Sequence, residues 1–229
     1  MDPTLGSPTL TVLTTHGPLL AKRVTRKGTV GYDDARRFHV RPVAVDTLEE
    51  LRDLLESLAK DPKSALILDT PNHEAPNPQG YRRKEYFDPM RHWLALDIDT
   101  ARAPPGMDPT GAAAVDYVLE RLPPALRGVD CLPQFTASAG LKEKGNQIRM
   151  RVWFRLDEPM DRDRLKHWAK LHNAWARARN AKAGEQVAVE IDAALFHAVQ
   201  LHYTADPIFE GVQDPFAGRS RLLPVRKAA

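Results

Sequence analysis

Apolar positions along the chain change their period several times, and each period implies an element. In TLEELRDLLESLA, residues 47–59, Leu48, Leu51, Leu54, Leu55 and Leu58 recur at the three- and four-residue spacing of one helix face. Thr47 and Glu50 form a capping box ahead of them, so a helix is expected there. FHVRPVAV before it alternates like a strand, and SALILD after it is a short apolar run of the buried-strand kind. Residues 71–89 are rich in Pro, Asn and Gly and read as a long loop carrying Arg82, Arg83 and Lys84. From Trp93 onward the order becomes regular: strand WLALDID, helix around GAAAVDYVLERL, strand CLPQFTAS, strand QIRMRVWFRL, a long amphipathic helix DRDRLKHWAKLHNAWARARNAK, and strand QVAVEID. That order is β-α-β-β-α-β, the split βαβ arrangement of ferredoxin-like and RNA-recognition-type domains, whose first and third strands lie side by side in an antiparallel sheet.

Two features of this pattern carry candidate chemistry. Asp97 and Asp99 sit one residue apart near the end of an apolar strand, so they share a face, while Leu94, Leu96 and Ile98 share the other. Two carboxylates on one half-buried face cost several kcal/mol per ion unless a cation lies between them, and a divalent metal is the simplest such cation. Asp192, closing VAVEID, is the candidate third carboxylate, although Asp is also a favoured N-cap before AALFHA. On the third strand Arg149, Arg151 and Arg155 share a face, where adjacent cations call for an anion such as phosphate. In TASAG the small residues, Ser138 and Gly140 among them, allow backbone N–H groups to approach a phosphate, or simply make a hairpin loop.

Composition narrows the classes without choosing among them. The chain has 229 residues, 28% charged and 42% apolar, ordinary for a globular protein with a core of its own. No apolar run reaches the roughly eighteen residues of a membrane span, and the N-terminal segment lacks the features of a secretory signal, so a cytoplasmic location is expected. The single cysteine, Cys131, excludes an internal disulfide and a multi-cysteine zinc site, and is expected to be a buried apolar residue. The net charge is +3, but residues 141–182 hold twelve Lys or Arg against five Asp or Glu, which suits a polyanionic partner.

Taken in order, HWLALDIDT, FTASAG, IRMRVWFRLDEPM and EIDAALFHAVQLHYTADPIFEG resemble the archaeo-eukaryotic primase superfamily, in its primase-polymerase branch found on plasmids, phages and mobile elements. The resemblance covers most of residues 40–225. It implies an α+β fold: a primase-type catalytic core in which a small N-terminal α/β lobe, about 21–90, packs on an RNA-recognition-like antiparallel sheet, about 91–217. Residues 1–20 are expected to be a poorly ordered lead-in and 218–229 a tail or linker. It implies template-directed nucleotidyl transfer from NTPs or dNTPs by two Mg²⁺ or Mn²⁺ ions held by Asp97, Asp99 and Asp192. Ser138, Gly140, Arg149 and Arg151 would bind the nucleotide, Arg82, Arg83, Lys166 and Lys170 the single-stranded DNA template and primer, and a helicase is the implied partner. The chain departs from the family's Ser-x-His motif: no histidine lies between Ser138 and Leu156, and Arg151 stands where the nucleotide-contacting histidine is expected.

Three rivals share some of these residues. A metal-dependent nuclease would use the same carboxylates with water as nucleophile, but leaves the arginine face unexplained. A non-catalytic nucleic-acid-binding module of RNA-recognition type lacks its aromatic platform, since RMRVWF offers Trp153 alone. A glycosyltransferase would account for the paired aspartates but not for the basic loop and helix.

Overall fold

The computed structural model describes residues 8–71, 86–87, 90–197 and 199–228. The chain is a mixed α+β protein with three three-stranded sheets, one short strand pair and three α-helices among the described residues. It divides into two compact units: residues 1–93, 155–162 and 197–212 form the first, and 94–154, 163–196 and 213–229 the second. No helix among the described residues is long and apolar enough to cross a membrane.

In the first unit, β1 (Thr9–Thr15) is the central strand of the sheet β4-β1-β5, with β4 (Phe38–Ala44) and β5 (Ser64–Ile67) antiparallel on either side. The lead-in expected over residues 1–20 is therefore corrected for its described part. TLTVLTT is rich in β-branched residues, and Leu10, Thr11, Val12 and Leu13 are all buried, as a strand paired on both edges requires. Helix α1 (Leu48–Ala59) starts at the Thr47–Glu50 capping box and buries Leu48, Leu51, Leu55 and Leu58. The hairpin β2 (Arg23–Thr25) and β3 (Gly28–Val30) is joined in parallel by β11 (Ile208–Glu210), and β6 (Thr70–Pro71) pairs with β7 (Tyr86–Phe87). His202 exchanges two backbone hydrogen bonds with Leu66 as an isolated bridge on β5.

The second unit is built on the sheet β8-β10-β9, from β8 (Arg91–Arg102), β9 (Leu132–Phe135) and β10 (Gln147–Met160). Helix α2 (Ala112–Leu119) links β8 to β9, and α3 (Arg162–Ala183) follows β10. The first and third strands of the expected pattern are neighbours, as anticipated. QVAVEID, expected as the fourth strand, is an extended segment without ladder assignment. The side chains of α3 explain this. Asn180 accepts from the backbone N–H groups of Val187 and Ala188 at 2.9 Å, Asn173 accepts from Ile191 at 3.0 Å and donates back to its carbonyl at 2.8 Å, and His172 bonds the Val189 carbonyl at 2.8 Å. Amide side chains thus take bonds that a strand would give to a neighbour, and the segment's backbone polar groups are satisfied without a ladder.

The C-terminal residues also differ from expectation. Instead of a tail, residues 221–226 run along β9: Phe135 donates to the Arg221 carbonyl, Leu223 to Pro133, and Cys131 and Arg226 exchange two bonds. The edge of β9 would otherwise present unpaired donors and acceptors, and this segment supplies their partners.

Candidate functional site

The paired aspartates lie in the middle of β8, not near its end, because pairing continues through Thr100, Ala101 and Arg102. The segment 186–192 runs antiparallel to β8, with Gln186 bonded to the backbone of Thr100 and Arg102 and the Asp192 N–H donating to the Asp97 carbonyl at 3.0 Å. An acid at the far end of an antiparallel neighbour reaches Asp97 because Asp97 is several residues inside a twelve-residue strand.

Directly across on β10 stand the arginines. Arg151 grips Asp97 in bidentate fashion, Nε to Oδ1 at 2.5 Å and Nη2 to Oδ2 at 2.9 Å. One cross-strand step away, Arg149 Nη2 lies 2.7 Å from Asp99 Oδ2, and its Nε donates to Ser138 Oγ at 2.9 Å. Ser138, Arg149 and Asp99 thus form one hydrogen-bonded line, and Arg151, Asp97 and the backbone of Asp192 another beside it. The inner pair is the more buried: side-chain exposure is 7% for Arg151 and 15% for Asp97, against 17% for Arg149 and 40% for Asp99. Trp153 is fully buried two residues on, its Nε1 bonded to Gln134, with the Arg151 guanidinium 5.6 Å from its ring centroid. This face of the sheet is therefore closed at Arg151 and Trp153 and more exposed at Asp99.

Arginine thus answers the question the sequence raised. The cation beside each carboxylate is a guanidinium, and the anion beside each guanidinium is a carboxylate. Two charges of each sign meet at contact distance, with no net charge in the quartet. Arg155 does not join them; it donates to the backbone carbonyls of Asp46, His92 and Leu156 in the first unit.

The remaining expected residues are dispersed. Asp192 is exposed, and its Oδ1 accepts from the Ala194 N–H at 2.8 Å, so its side chain caps the 3₁₀ turn Ala193–Phe196 while its backbone holds Asp97. Gly140 has φ 73° and is closely packed: a Cβ there would lie 2.8 Å from Thr110 Cγ2 and 2.9 Å from Pro215 Cβ. Lys166 and Lys170 are on the first half of α3, Lys170 exposed, and neither bonds to the quartet. Arg82 and Arg83 lie outside the described residues. Cys131 is buried and free, and burial pushes its thiol up to about 11, too high for a nucleophile.

In kind, the donor set fits a hard divalent cation, since all three acids offer carboxylate oxygens. In placement, each of Asp97 and Asp99 already holds a guanidinium, and among the described residues no three His, Cys, Asp or Glu side chains are grouped to bind a metal ion. Residues that the sequence reading passed over position this site: Asn173, Asn180 and Gln186 set the path of the segment ending at Asp192. The detectable signal was two asparagines seven apart on one face of an otherwise apolar-and-basic helix. In comparisons with known proteins, no protein-family model, no curated protein and no solved structure matches the chain.

Proposed function

We propose that this chain is a primase-polymerase of the archaeo-eukaryotic primase type, a DNA-directed nucleotidyltransferase serving replication of a plasmid, phage or mobile element. The observation that carries the reading is the quartet Asp97, Asp99, Arg149 and Arg151 on adjacent strands, with Asp192 bonded to the same strand by its backbone. Asp97 and Asp99 meet Arg151 and Arg149 across positions about fifty residues apart in the sequence. The order β8-β10-β9, with the 186–192 segment antiparallel on the other edge of β8, supports an RNA-recognition-like sheet as its frame.

In this reading Asp97, Asp99 and Asp192 hold Mg²⁺ or Mn²⁺. When bound, such ions lower the pKa of a primer 3′-hydroxyl and neutralise the departing pyrophosphate. The arginines bind the triphosphate: Arg151 presents a planar donor fork, and Arg149, steered by Ser138, presents a second. The new bond joins the 3′-oxygen to the α-phosphorus as the bond to the β-phosphate oxygen breaks. Arginine at position 151 serves where a histidine would stand in the family. Lys166 and Lys170 on α3 contact template phosphates, and a helicase is the proposed partner.

The test is extension of a labelled primer on single-stranded DNA with dNTPs or NTPs and Mg²⁺ or Mn²⁺, comparing the native chain with Asp97→Asn and Asp99→Asn. The expected result is metal-dependent product, lost in both variants while melting shows them folded. Absence of product from the native chain, with DNA bound and uncut, would favour a second reading, a non-catalytic nucleic-acid-binding module. That alternative draws on one specific observation, that both aspartates already carry guanidinium partners and so can act as cross-strand ties alone.

A further inference from the structure

We infer that the outward face of α3 is a docking site for an acidic amphipathic helix of a partner protein, seated along Trp168, Leu171, Trp175 and Ala178. The helix carries two apolar stripes, and the fold buries one of them. Leu165, Ala169, His172 and Ala176 are buried at the three- and four-residue spacing of an inward face. Trp168, Leu171, Trp175 and Ala178 repeat the same spacing beside it and keep partial or full exposure. Leu171 is 59% exposed, the most exposed large apolar side chain among the described residues. Ala174 and Ala178 are exposed, and the two tryptophans are half-buried. A lone exposed leucine would mean little, since folded proteins carry many. This one stands between two tryptophans, at i−3 and i+4, on a seam of about 15 Å whose alanines let a second helix approach.

Charge selects the occupant. Residues 162–183 hold seven Lys or Arg against one acid, Asp163. Lys170, Arg177, Arg179 and Lys182 are all exposed, so basic side chains border the seam on both flanks and at its end. Arg177 already meets the Glu190 carboxylate at 2.7 Å, the kind of contact an acidic partner helix would repeat along these borders. A second copy of the chain would set basic borders against basic borders, whereas Glu or Asp flanking the apolar positions of an incoming helix is matched. Single-stranded nucleic acid would also meet the charge, but its bases need ring faces to stack on. Trp168 stacks on His172 with centroids 6.1 Å apart and planes 22° apart. Trp175 packs on His172 at 5.4 Å, and the Arg179 guanidinium lies 5.4 Å from its ring centroid. Both rings are thus engaged on the helix itself, and the most exposed member of the seam is aliphatic, which suits a helix side chain better than a base. The inference is independent of nucleotidyl transfer: Lys166 and Lys170, assigned there to template phosphates, stand on the flank of the seam and not on it.

The test presents the intact chain with a displayed library of peptides about three heptads long, apolar at the a and d positions and randomised between Glu and Lys at e and g. The expected result is enrichment of peptides with Glu at e and g. Their fluorescein-labelled forms, read by anisotropy, should bind the native chain at least about 10-fold tighter than Leu171→Lys. That substitution falls at an exposed position and adds a positive charge, so attraction by charge alone would hold or strengthen the binding, and only loss of the apolar seam weakens it. Leu171→Ala, which favours the helix and leaves the charge unchanged, should weaken the same peptides at least about 3-fold. No enrichment above the starting library overturns the inference, and it needs no variant to fold. Enrichment of Lys at e and g does the same, as does equal binding to the native chain and both variants. Light scattering tests the second copy: a native dimer that Leu171→Lys returns to monomer would put this chain itself on the face and overturn the acidic partner. An oligothymidylate that displaces the peptides from the native chain and fails to bind Leu171→Lys would overturn it too, by placing single-stranded DNA there.

Discussion

The unequal burial of the two cross-strand pairs predicts unequal coupling, which a pair of double-mutant cycles measures. Asp97 and Arg151 are joined by two charge-assisted hydrogen bonds, with both side chains largely out of water. Removing one partner of a fully buried pair costs about 3–5 kcal/mol, much of it the penalty on the charge left behind. The residual exposure of Asp97 reduces this, and we predict a loss of about 2–3 kcal/mol for Asp97→Asn and a coupling of about 2 kcal/mol between Asp97→Asn and Arg151→Met. Asp99 is 40% exposed, so its cycle with Arg149→Met is expected to give less than about 1 kcal/mol. The assay is urea unfolding followed by tryptophan fluorescence, and in thermal melts the inner single variant should lose about 5–10 °C. Raised salt should shrink the outer coupling more than the inner one. Equal couplings, or an inner coupling below about 0.5 kcal/mol, would refute the claim that desolvation sets the strength of these pairs.

Three further outcomes are expected. Gly140→Ala should cost about 2 kcal/mol or more, because its Cβ meets Thr110 and Pro215 at under 3.0 Å on a backbone with φ 73°; a melting temperature unchanged from native would show the packing to be slack. His172, packed between Trp168 and Trp175, has its pKa lowered from the ordinary 6.5 chiefly by burial, against the bond to the Val189 carbonyl. The unfolded chain therefore takes up this proton first as pH falls, so the contribution to stability is complete above 6.5 and is lost as pH drops through the folded value; His172→Gln should flatten that part of the stability profile, and an unaltered slope would sink the assignment. Lys166→Glu with Lys170→Glu should weaken single-stranded DNA binding and lower the salt slope by about 1–2, read by anisotropy at several salt concentrations; unchanged slopes would remove α3 from the DNA path.

The sequence by itself determined those elements whose signal is local. The α1 stripe with its Thr47 cap, the alternation of β4 and the 22 residues of α3 are set by side chains within a few positions of one another. Residue spacing was also enough to put Asp97 and Asp99 on one strand face and Arg149 and Arg151 on another. What only the tertiary structure decided is which charges meet. That the cation opposite each aspartate is an arginine follows from the register of β8 against β10, a pairing between residues about fifty positions apart that no local period encodes. The same holds for β1, whose burial depends on β4 and β5 closing on both its edges, and for residues 221–226, which look like a tail until the open edge of β9 needs partners. It holds for residues 187–191, which have the composition of a strand but give their hydrogen bonds to Asn173, Asn180 and His172. Side-chain type and spacing declare what a segment can bury or ionise; which partner satisfies it is a long-range choice, made by whichever donor, acceptor or counter-charge the fold brings within reach.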